Sequence, residues 1–280
     1  YTLWHTLSLH DALPIFTALL AARQQKTGYD TWNEGIRNED PPVFLVPEQA
    51  HYSIAKAIRI MGHGDGGVVT VPCDDRFKMI TAKIPGIISE VEKSQRRVIG
   101  IAASAGSTAT GAYDPLEEVA AICREKNLWF HIDGAHGAPA IFSEKYRERT
   151  RGMEKADSVV IDYHKLGMAP GLNTAVIFRN GQDSYETFAQ KASYLFSRED
   201  APEWFNFAKR TVECTKSMMG FHVYAMLYAH GPEIFDANVT ALYDLAKEFY
   251  AILEKDPGMQ VIHRPESNIL CFRYYREDMA

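Results

Sequence analysis

Several features that would assign this chain to a class at once are missing from its sequence. Its 280 residues contain four cysteines, Cys73, Cys123, Cys214 and Cys271, and no C-x-x-C pair. This is a poor pattern for zinc ligands or for a disulfide framework, and it suits a reducing compartment. We therefore expect ordinary structural thiols, no metal site and a cytoplasmic location.

Long apolar runs and basic clusters are missing as well. The apolar stretches are of strand length, far below the ~20 residues that a membrane-spanning helix needs. The net charge is −6, and no run rich in Lys and Arg stands out, so the sequence has no electrostatic footprint for nucleic acid. We expect no membrane partner and no nucleic-acid partner.

The first fifteen residues, YTLWHTLSLHDALPI, differ in character from the rest. They contain neither a basic region nor a continuous apolar stretch, so they do not form a signal peptide. They resemble translated sequencing-adapter read-through joined to a reading frame near Phe16. We expect 1–15 to be non-native; the alternative is a fragment that begins within a domain with an unusual loop.

From Phe16 onward, strand-like runs alternate with helical patterns. Apolar strands are predicted at 43–46, 68–71, 97–103, 128–133, 158–163 and 173–179, with helices at 17–25, 51–61, 87–94 and 114–126. The last of these helices begins at Asp114 and Pro115, and we predict Asp114 as its N-cap. This alternation is typical of βαβ units and a mainly parallel sheet. After residue 200 the pattern predicts long helices at 202–228 and 232–254, then a strand at 268–274.

Two charged side chains end apolar strands: Asp133 closes WFHID, and Lys165 follows SVVIDYH. Ligands of open α/β sheets bind at the carboxyl ends of the strands. A lysine after a strand is ordinarily a solvated surface residue, but apolar and glycine-rich sequence around Lys165 favours a half-buried amine. An amine and a carboxylate so placed indicate pyridoxal phosphate (PLP). Its aldehyde forms a Schiff base with lysine, and an acid keeps its ring nitrogen protonated.

Several segments resemble one known family. FHIDGAHGA (130–138), ADSVVIDYHKL (156–166) and ASAGSTATGAYDPLEE (103–118) are similar to the group II PLP-dependent amino-acid decarboxylases, and RTVECTKSMM (210–219) and PESNILCFRY (265–274) extend the resemblance. It implies the α/β large domain of PLP-dependent transferase fold type I, with three α/β/α layers and a mostly parallel sheet, over 16–230. The start of a small C-terminal α/β domain would occupy 231–280.

The same resemblance implies an activity. It is the decarboxylation of a small L-amino acid through an external aldimine and a quinonoid, in a cytoplasmic enzyme that is a homodimer at full length. The segments DGAHGA and RTVECTK are nearest to the members that act on glutamate and diaminobutyrate. Two alternatives stay open: another enzyme of the same fold type, such as an aminotransferase or a lyase, and an inactive fragment without cofactor.

The resemblance also implies roles for single residues. Lys165 would form the Schiff base, and Asp133 would pair with the pyridinium nitrogen. His164 would contact the phosphate. His51 would stack on the cofactor ring and counts, with Lys165 and Tyr194, among the expected catalytic residues. Tyr194, in the segment KASYLF, corresponds to a loop tyrosine that protonates the substrate carbon after CO2 leaves; the alternative is an aromatic side chain packed beneath a loop.

Three further residues complete the expected cofactor site. Thr108 corresponds to a threonine near the phenolic oxygen, and His136 belongs to the FHIDGAHGA segment. Asp162 stands where relatives often have an asparagine that faces the phosphate, and a carboxylate there is unfavourable unless it is turned away. His131, Asp133 and His136 could be drawn as a metal site, but nothing indicates a fourth ligand, and we expect no metal.

The family's phosphate cup is a turn rich in Ser, Gly and Thr that opens a helix. It should lie just before FTALLAARQQ, where this chain has SLHDALPI (8–15) without any glycine. We therefore expect weak PLP binding and little or no activity from the chain as written.

Overall fold

The computed structural model describes residues 5–9, 13–188, 207–213 and 215–274, the first range by its backbone alone. Seven strands of this part form the central sheet: β1 (His5–Leu9), β2 (Pro42–Pro47), β3 (Val68–Val71), β4 (Arg97–Ser104), β5 (Trp129–Asp133), β6 (Ser158–Asp162) and β7 (Thr174–Phe178). Their order is β1-β7-β6-β5-β4-β2-β3. All pairs from β3 to β6 are parallel, whereas β7 runs antiparallel to β6 and to β1. The expected mostly parallel sheet is confirmed.

Helices cover both faces of this sheet. They are α1 (Leu13–Lys26), α2 (Thr31–Glu34), α3 (Tyr52–Ile58), α4 (Ile84–Lys93), α5 (Leu116–Glu125) and α6 (Gly181–Thr187). Strand β2 is buried along its whole length. Val43 and Leu45 lie in the core with α4 and α5, whereas Phe44 and Val46 lie in the core with α1 and α3. A strand buried on both faces is read as a continuous apolar run, and the result is the expected α/β/α arrangement.

The C-terminal elements are α7 (Gly220–His230), α8 (Glu233–Leu253), β8 (Met259–Val261) and β9 (Phe272–Tyr274). Strands β8 and β9 form a separate antiparallel pair. Helix α8 confirms the helix predicted at 232–254, and its Val239 and Tyr243 pack in the core beside α4 and α5. The domain boundaries predicted at residues 15 and 230 stay predictions. None of the described helices is long and apolar enough to cross a membrane.

Two predicted elements are wrong in their extent. In the described part of 202–228, a 3-10 turn at Phe207–Lys209 precedes irregular chain, and α7 begins only at Gly220. The hydroxyl of Thr211 donates to the carbonyl oxygen of Glu213 (2.9 Å), and such local bonds compete with helix formation. The strand predicted at 268–274 is reduced to β9, because Asn268 bonds to His136 in the loop after β5 instead.

Asp114 is not the N-cap of α5, and this prediction is also wrong. Pro115 occupies the cap position and no side chain caps the helix. The Asp114 carboxylate turns inward, where it accepts hydrogen bonds from the backbone N–H groups of Ser104 and Met79, both at 2.7 Å. Burial raises the pKa of Asp114 to about 6. Asp114 thus joins the end of β4 to the loop that precedes α4.

Candidate active site

A cavity opens at the carboxyl edge of the sheet, where β4, β5 and β6 end. It spans about 550 Å³ when the open solvent at its mouth is included. Six of the predicted site residues line it: His51, Thr108, Asp133, His136, Asp162 and Lys165. Parallel strands bring their carboxyl ends to one edge, and this is why residues so distant in the chain meet here.

Lys165 lies in the turn that follows β6. Its Nζ is 2.8 Å from Oδ2 of Asp162, and its side chain is 37% exposed whereas that of Asp162 is 4% exposed. The amine is therefore held at the wall and remains accessible. The other oxygen of Asp162, Oδ1, is buried and has no hydrogen-bond partner among the described residues. An unpaired buried acceptor costs about 1–3 kcal/mol, so a ligand donor there would be stabilising.

Asp133 is the last residue of β5 and lies opposite Ser104 of β4. The residue is 8% exposed, and its Oδ1 accepts a hydrogen bond from the backbone N–H of Ala135 (3.2 Å). Burial raises the pKa of Asp133, against the opposing effects of the Ala135 N–H and the Lys165 charge. A cationic group placed against this carboxylate would favour its ionised form. A protonated ring nitrogen is such a group.

His51 and Thr108 also line the cavity. His51 is the N-cap residue of α3, and its Nδ1 lies 2.6 Å from the hydroxyl of Ser53. Its ring centroid is 4.3 Å from that of Tyr52, so the imidazole is held between two neighbours. Thr108 lies in the loop after β4 and is exposed at the cavity. Stacking on a ring and contact with its oxygen stay predictions for these residues.

His136 is placed by a close approach of two loops. A Cβ atom on Gly137 would lie 2.4 Å from the carbonyl oxygen of Ala105, so only glycine allows the loop after β5 to pack on the loop after β4. His136 Nε2 lies 2.7 Å from Oδ1 of Asn268, and burial is the main cause that lowers the His136 pKa. Sequence reasoning missed Asn268; its one sign is a polar residue at the start of a predicted strand.

Two predicted residues are not in the cavity wall. His164 lies beside it, where Nδ1 accepts a hydrogen bond from the N–H of Asn173 (3.1 Å) and Nε2 is 3.8 Å from Asp162 Oδ2. Its contact with a phosphate stays a prediction. Tyr194 lies outside the described residues, and its catalytic role stays a prediction as well.

The N-terminus of α1 also reaches this cavity, through Ile15. Helix N-termini bind anions through their free N–H groups and the helix dipole. Here the helix begins with Leu13, Pro14 and Ile15, which carry no side-chain donor, and proline has no N–H. The start of this helix therefore offers no side-chain donor to an anion in the cavity.

A second, larger cavity of about 1260 Å³ by the same measure lies elsewhere in the fold. Its apolar wall includes Phe142, Val159 and Tyr163, and none of the predicted site residues lines it. Among the residues that the structure describes, no three His, Cys, Asp or Glu side chains are grouped as a metal site. We therefore place the candidate active site at the strand-end cavity.

An α/β fold that presents a lysine amine and a buried carboxylate in one strand-end cavity defines a class of proteins suited to a carbonyl cofactor. The chain belongs to the family described as the pyridoxal-dependent decarboxylase conserved domain, which matches residues 6–275. This confirms the family resemblance read from the sequence.

Individual relatives agree with this assignment. The chain is 29% identical over 247 residues to the acidic amino acid decarboxylase GADL1 of Xenopus tropicalis, covering 88% of this chain and 48% of the relative. It is 28% identical over 265 residues to an aromatic-L-amino-acid decarboxylase of Bacillus atrophaeus, covering 94% of this chain and 54% of the relative. The chain thus spans about half the length of these curated relatives.

The fold is also that of a solved structure. The crystal structure of mouse CSAD superposes with a TM-score of 0.90 over 98% of this chain and 57% of that one, at 24% sequence identity. At this level of identity the likeness establishes the fold alone, and the predicted fold type is confirmed.

Proposed function

We propose that the whole protein is a PLP-dependent decarboxylase of a small L-amino acid. The observation that carries the proposal is the meeting of the Lys165 amine and the Asp133 carboxylate in one cavity. The names of its relatives support the reaction, and they differ in the substrate: one acts on acidic and the other on aromatic amino acids. They support an amino acid as substrate and no particular side chain.

The described residues fit the ring and aldehyde ends of PLP. When bound, the cofactor would supply an aldehyde for amines and a ring that takes up the electron pair left by CO2. The Lys165 amine would hold the aldehyde end, and Asp133 would keep a proton on the ring nitrogen, since a buried carboxylate favours a cation beside it. His51 would cover one face of the ring, and Asp162 would orient the amine from 2.8 Å.

Proton delivery is proposed for Tyr194. A phenol near the substrate's α-carbon can donate the proton that replaces CO2. The variant Tyr194→Phe should therefore keep the cofactor and lose amine product. Unchanged product formation in this variant would assign the proton to another group.

The visible absorption band of the lysine–PLP adduct tests the cofactor proposal directly. The purified full-length protein should show the band, and Lys165→Ala should abolish it. Lys145→Ala is the matched control, because Lys145 lies in an exposed ion pair with Asp244 outside the cavity wall. A band of equal intensity in Lys165→Ala would refute the lysine assignment.

The reaction itself is tested with a panel of L-amino acids. We expect CO2 release with retention of the amine from at least one small amino acid, and no release by Lys165→Ala. Keto-acid formation without CO2 would instead identify an aminotransferase. A panel that includes glutamate and 2,4-diaminobutyrate covers the substrates that the sequence favours.

We further propose that the chain as written binds the phosphate end of PLP weakly. The apolar start of α1 supports this, because Leu13, Pro14 and Ile15 offer no donor side chain and Ile15 lines the cavity. The double variant Leu13→Ser/Pro14→Gly should tighten PLP binding about tenfold, the gain of one hydrogen bond to a charged group. Equal PLP affinity of the chain as written and of the double variant in a fluorescence titration would contradict this proposal.

A homodimer is proposed for the full-length protein. Helix α7 has no buried residue, and its Phe221, Tyr224 and Tyr228 are exposed; contiguous exposed apolar side chains mark interaction surfaces. Sedimentation should give twice the chain mass, and Tyr228→Asp should reduce it. Ile60→Asp, an exposed apolar residue outside α7, should not. A full-length protein that sediments as a monomer would contradict the proposal.

A cytoplasmic location is also proposed. Cys73, Cys123 and Cys271 are free thiols in the described residues, which suits a reducing compartment. Cell fractionation tests it, and recovery of the full-length protein in an oxidising compartment would contradict it.

A further inference from the structure

The C-terminal segment 266–268 is anchored to the large domain by Glu266. Oε1 of Glu266 lies 2.7 Å from Lys78 Nζ and 2.9 Å from Arg149, and Oε2 accepts the backbone N–H of Tyr113 (3.1 Å). The side chain of Glu266 is 17% exposed. Charge-assisted hydrogen bonds from several donors fix a carboxylate far better than a single exposed ion pair does.

The next residue packs against the cofactor loop, residues 104–111. Ser267 is 1% exposed, and a Cβ atom on Gly111 would lie 1.9 Å from its hydroxyl. Gly111 has φ +70°, so glycine is required there twice, for conformation and for space. A second contact follows at Cys271, whose Sγ lies 3.3 Å from the carbonyl oxygen of Ala109. The segment therefore supports the loop that presents Thr108 to the cavity.

The third residue of the segment reaches the cavity wall. Oδ1 of Asn268 lies 2.7 Å from Nε2 of His136. An amide oxygen can only accept, so with the amide in this orientation the contact requires the ring proton on Nε2; in a neutral imidazole Nδ1 is then an acceptor. Nδ1 of His136 has no hydrogen bond to any described residue.

The surroundings of His136 favour the neutral ring. Burial lowers the pKa of His136 most, and the Lys165 charge lowers it further, whereas the Asn268 hydrogen bond and the Asp162 charge raise it. Two charged groups act on this ring: Lys165, in the turn after β6, and Asp162, the last residue of β6. The ring is thus uncharged near neutral pH, with one nitrogen committed to Asn268.

We propose that Asn268 is a positioning residue that holds His136 in the tautomer protonated at Nε2, so that this part of the cavity wall offers a hydrogen-bond acceptor. Such a wall favours a ligand donor, for example an ammonium or hydroxyl group, over an anionic group. The identity of the ligand rests on the proposed function. The tautomer does not, because it is set by two residues of this chain.

Long-range ¹⁵N NMR of the histidine rings in the cofactor-free protein measures the tautomer, with His136→Gln to assign the signal. We expect His136 to be protonated at Nε2 and unprotonated at Nδ1 at neutral pH. A ring protonated at Nδ1 would overturn the proposal, because Asn268 would then donate through its NH2 group. This measurement needs no variant at position 268.

The second test places a negative charge at Asn268, the hydrogen-bond partner of His136. Asn268→Asp should raise the titration midpoint of His136 by at least about one pH unit, the effect of a carboxylate in contact with an imidazole. Asn180→Asp is the matched control: Asn180 caps α6 by accepting the N–H of Gln182, and aspartate caps equally well. It should leave the His136 midpoint unchanged.

His63 is the internal reference for these titrations, and its midpoint should be the same in both aspartate variants. Its Nδ1 lies 3.1 Å from the carbonyl oxygen of Pro42, and it does not line the cavity. An unchanged His136 midpoint in Asn268→Asp, or equal shifts in both aspartate variants, would overturn the proposal. Because all measurements use the cofactor-free protein, they stay separate from the absorption and CO2 experiments. If the decarboxylase proposal failed, the result on the His136 tautomer would still stand. If the tautomer proposal failed, the decarboxylase proposal would be unaffected.

Discussion

Helices α1 and α7 are both apolar, and they have opposite surroundings. Of the 14 residues of α1, those from Pro14 to Ala22 are buried except Phe16, under α3, α6 and the sheet. Helix α7 has 11 residues, and none of them is buried. Neither helix has a polar face on which a pattern argument could rest. The comparison teaches that apolar composition alone does not decide whether a helix is buried within its own chain, as α1 is, or left exposed on it, as α7 is.

The largest expected difference between the two helices is in stability. Leu19 of α1 is fully buried, whereas Leu227 of α7 is 39% exposed. Leu19→Ala should lower the free energy of unfolding by about 2–5 kcal/mol, because it leaves a cavity in a packed core. Leu227→Ala, the same chemical change, should cost less than about 1 kcal/mol. Urea denaturation of both variants measures this, and equal losses would break the comparison.

A buried carboxyl group, that of Asp114, should also make the free energy of unfolding depend on pH. The folded pKa of Asp114 is about 6, above its unfolded value, so the stability it contributes is present below about pH 4 and is lost as the pH rises to 6. Asp114→Asn removes this titration. Its free energy of unfolding relative to the parent should therefore improve by on the order of 2–3 kcal/mol between pH 4 and 6. Urea denaturation across this range tests it, and parallel curves would contradict it.

The smallest effect is expected on the surface of α8. Asp244 pairs with Lys145 at 2.6 Å, and both side chains are substantially exposed. The Lys145 hydrogen bond lowers the pKa of Asp244, so its contribution has the opposite sign to that of Asp114: it is present at neutral pH and is lost as the pH falls. Asp244→Asn should cost less than about 1 kcal/mol, and less again in high salt. A larger loss in urea denaturation would show that this face is more tightly packed than α7.

Much of the fold and the centre of the site could be predicted from the sequence. Apolar runs such as the one in β2 identify buried strands, and the rule that ligands bind at strand ends brings Asp133 and Lys165 together. The prediction failed for a side chain that could form either a local helix cap or hydrogen bonds to more distant backbone. Asp114 fits an N-cap pattern, but buried backbone N–H groups of Ser104 and Met79 compete for its carboxylate.

Contacts between distant parts of the chain could not be predicted either. Asn268 bonds to His136 across 132 residues, and no local pattern carries that information. The pairing of Asp162 was also not predicted, although its partner Lys165 is only three residues further along the chain; contact of Asp162 with a phosphate stays a prediction. The start of α7 depended on tertiary bonds such as that of Asn173 Nδ2 to the Met219 carbonyl oxygen (2.6 Å).

The bond between Asn268 and His136 has a consequence for the order of synthesis. A ribosome delivers Lys165 roughly 100 residues before Asn268, which at about 5–20 residues per second is an interval of about 5–20 s. During that interval, β5, which ends at Asp133, and β6, which precedes Lys165, can pair while His136 still lacks its partner. The growing chain therefore assembles its reactive groups first and completes the wall around them last.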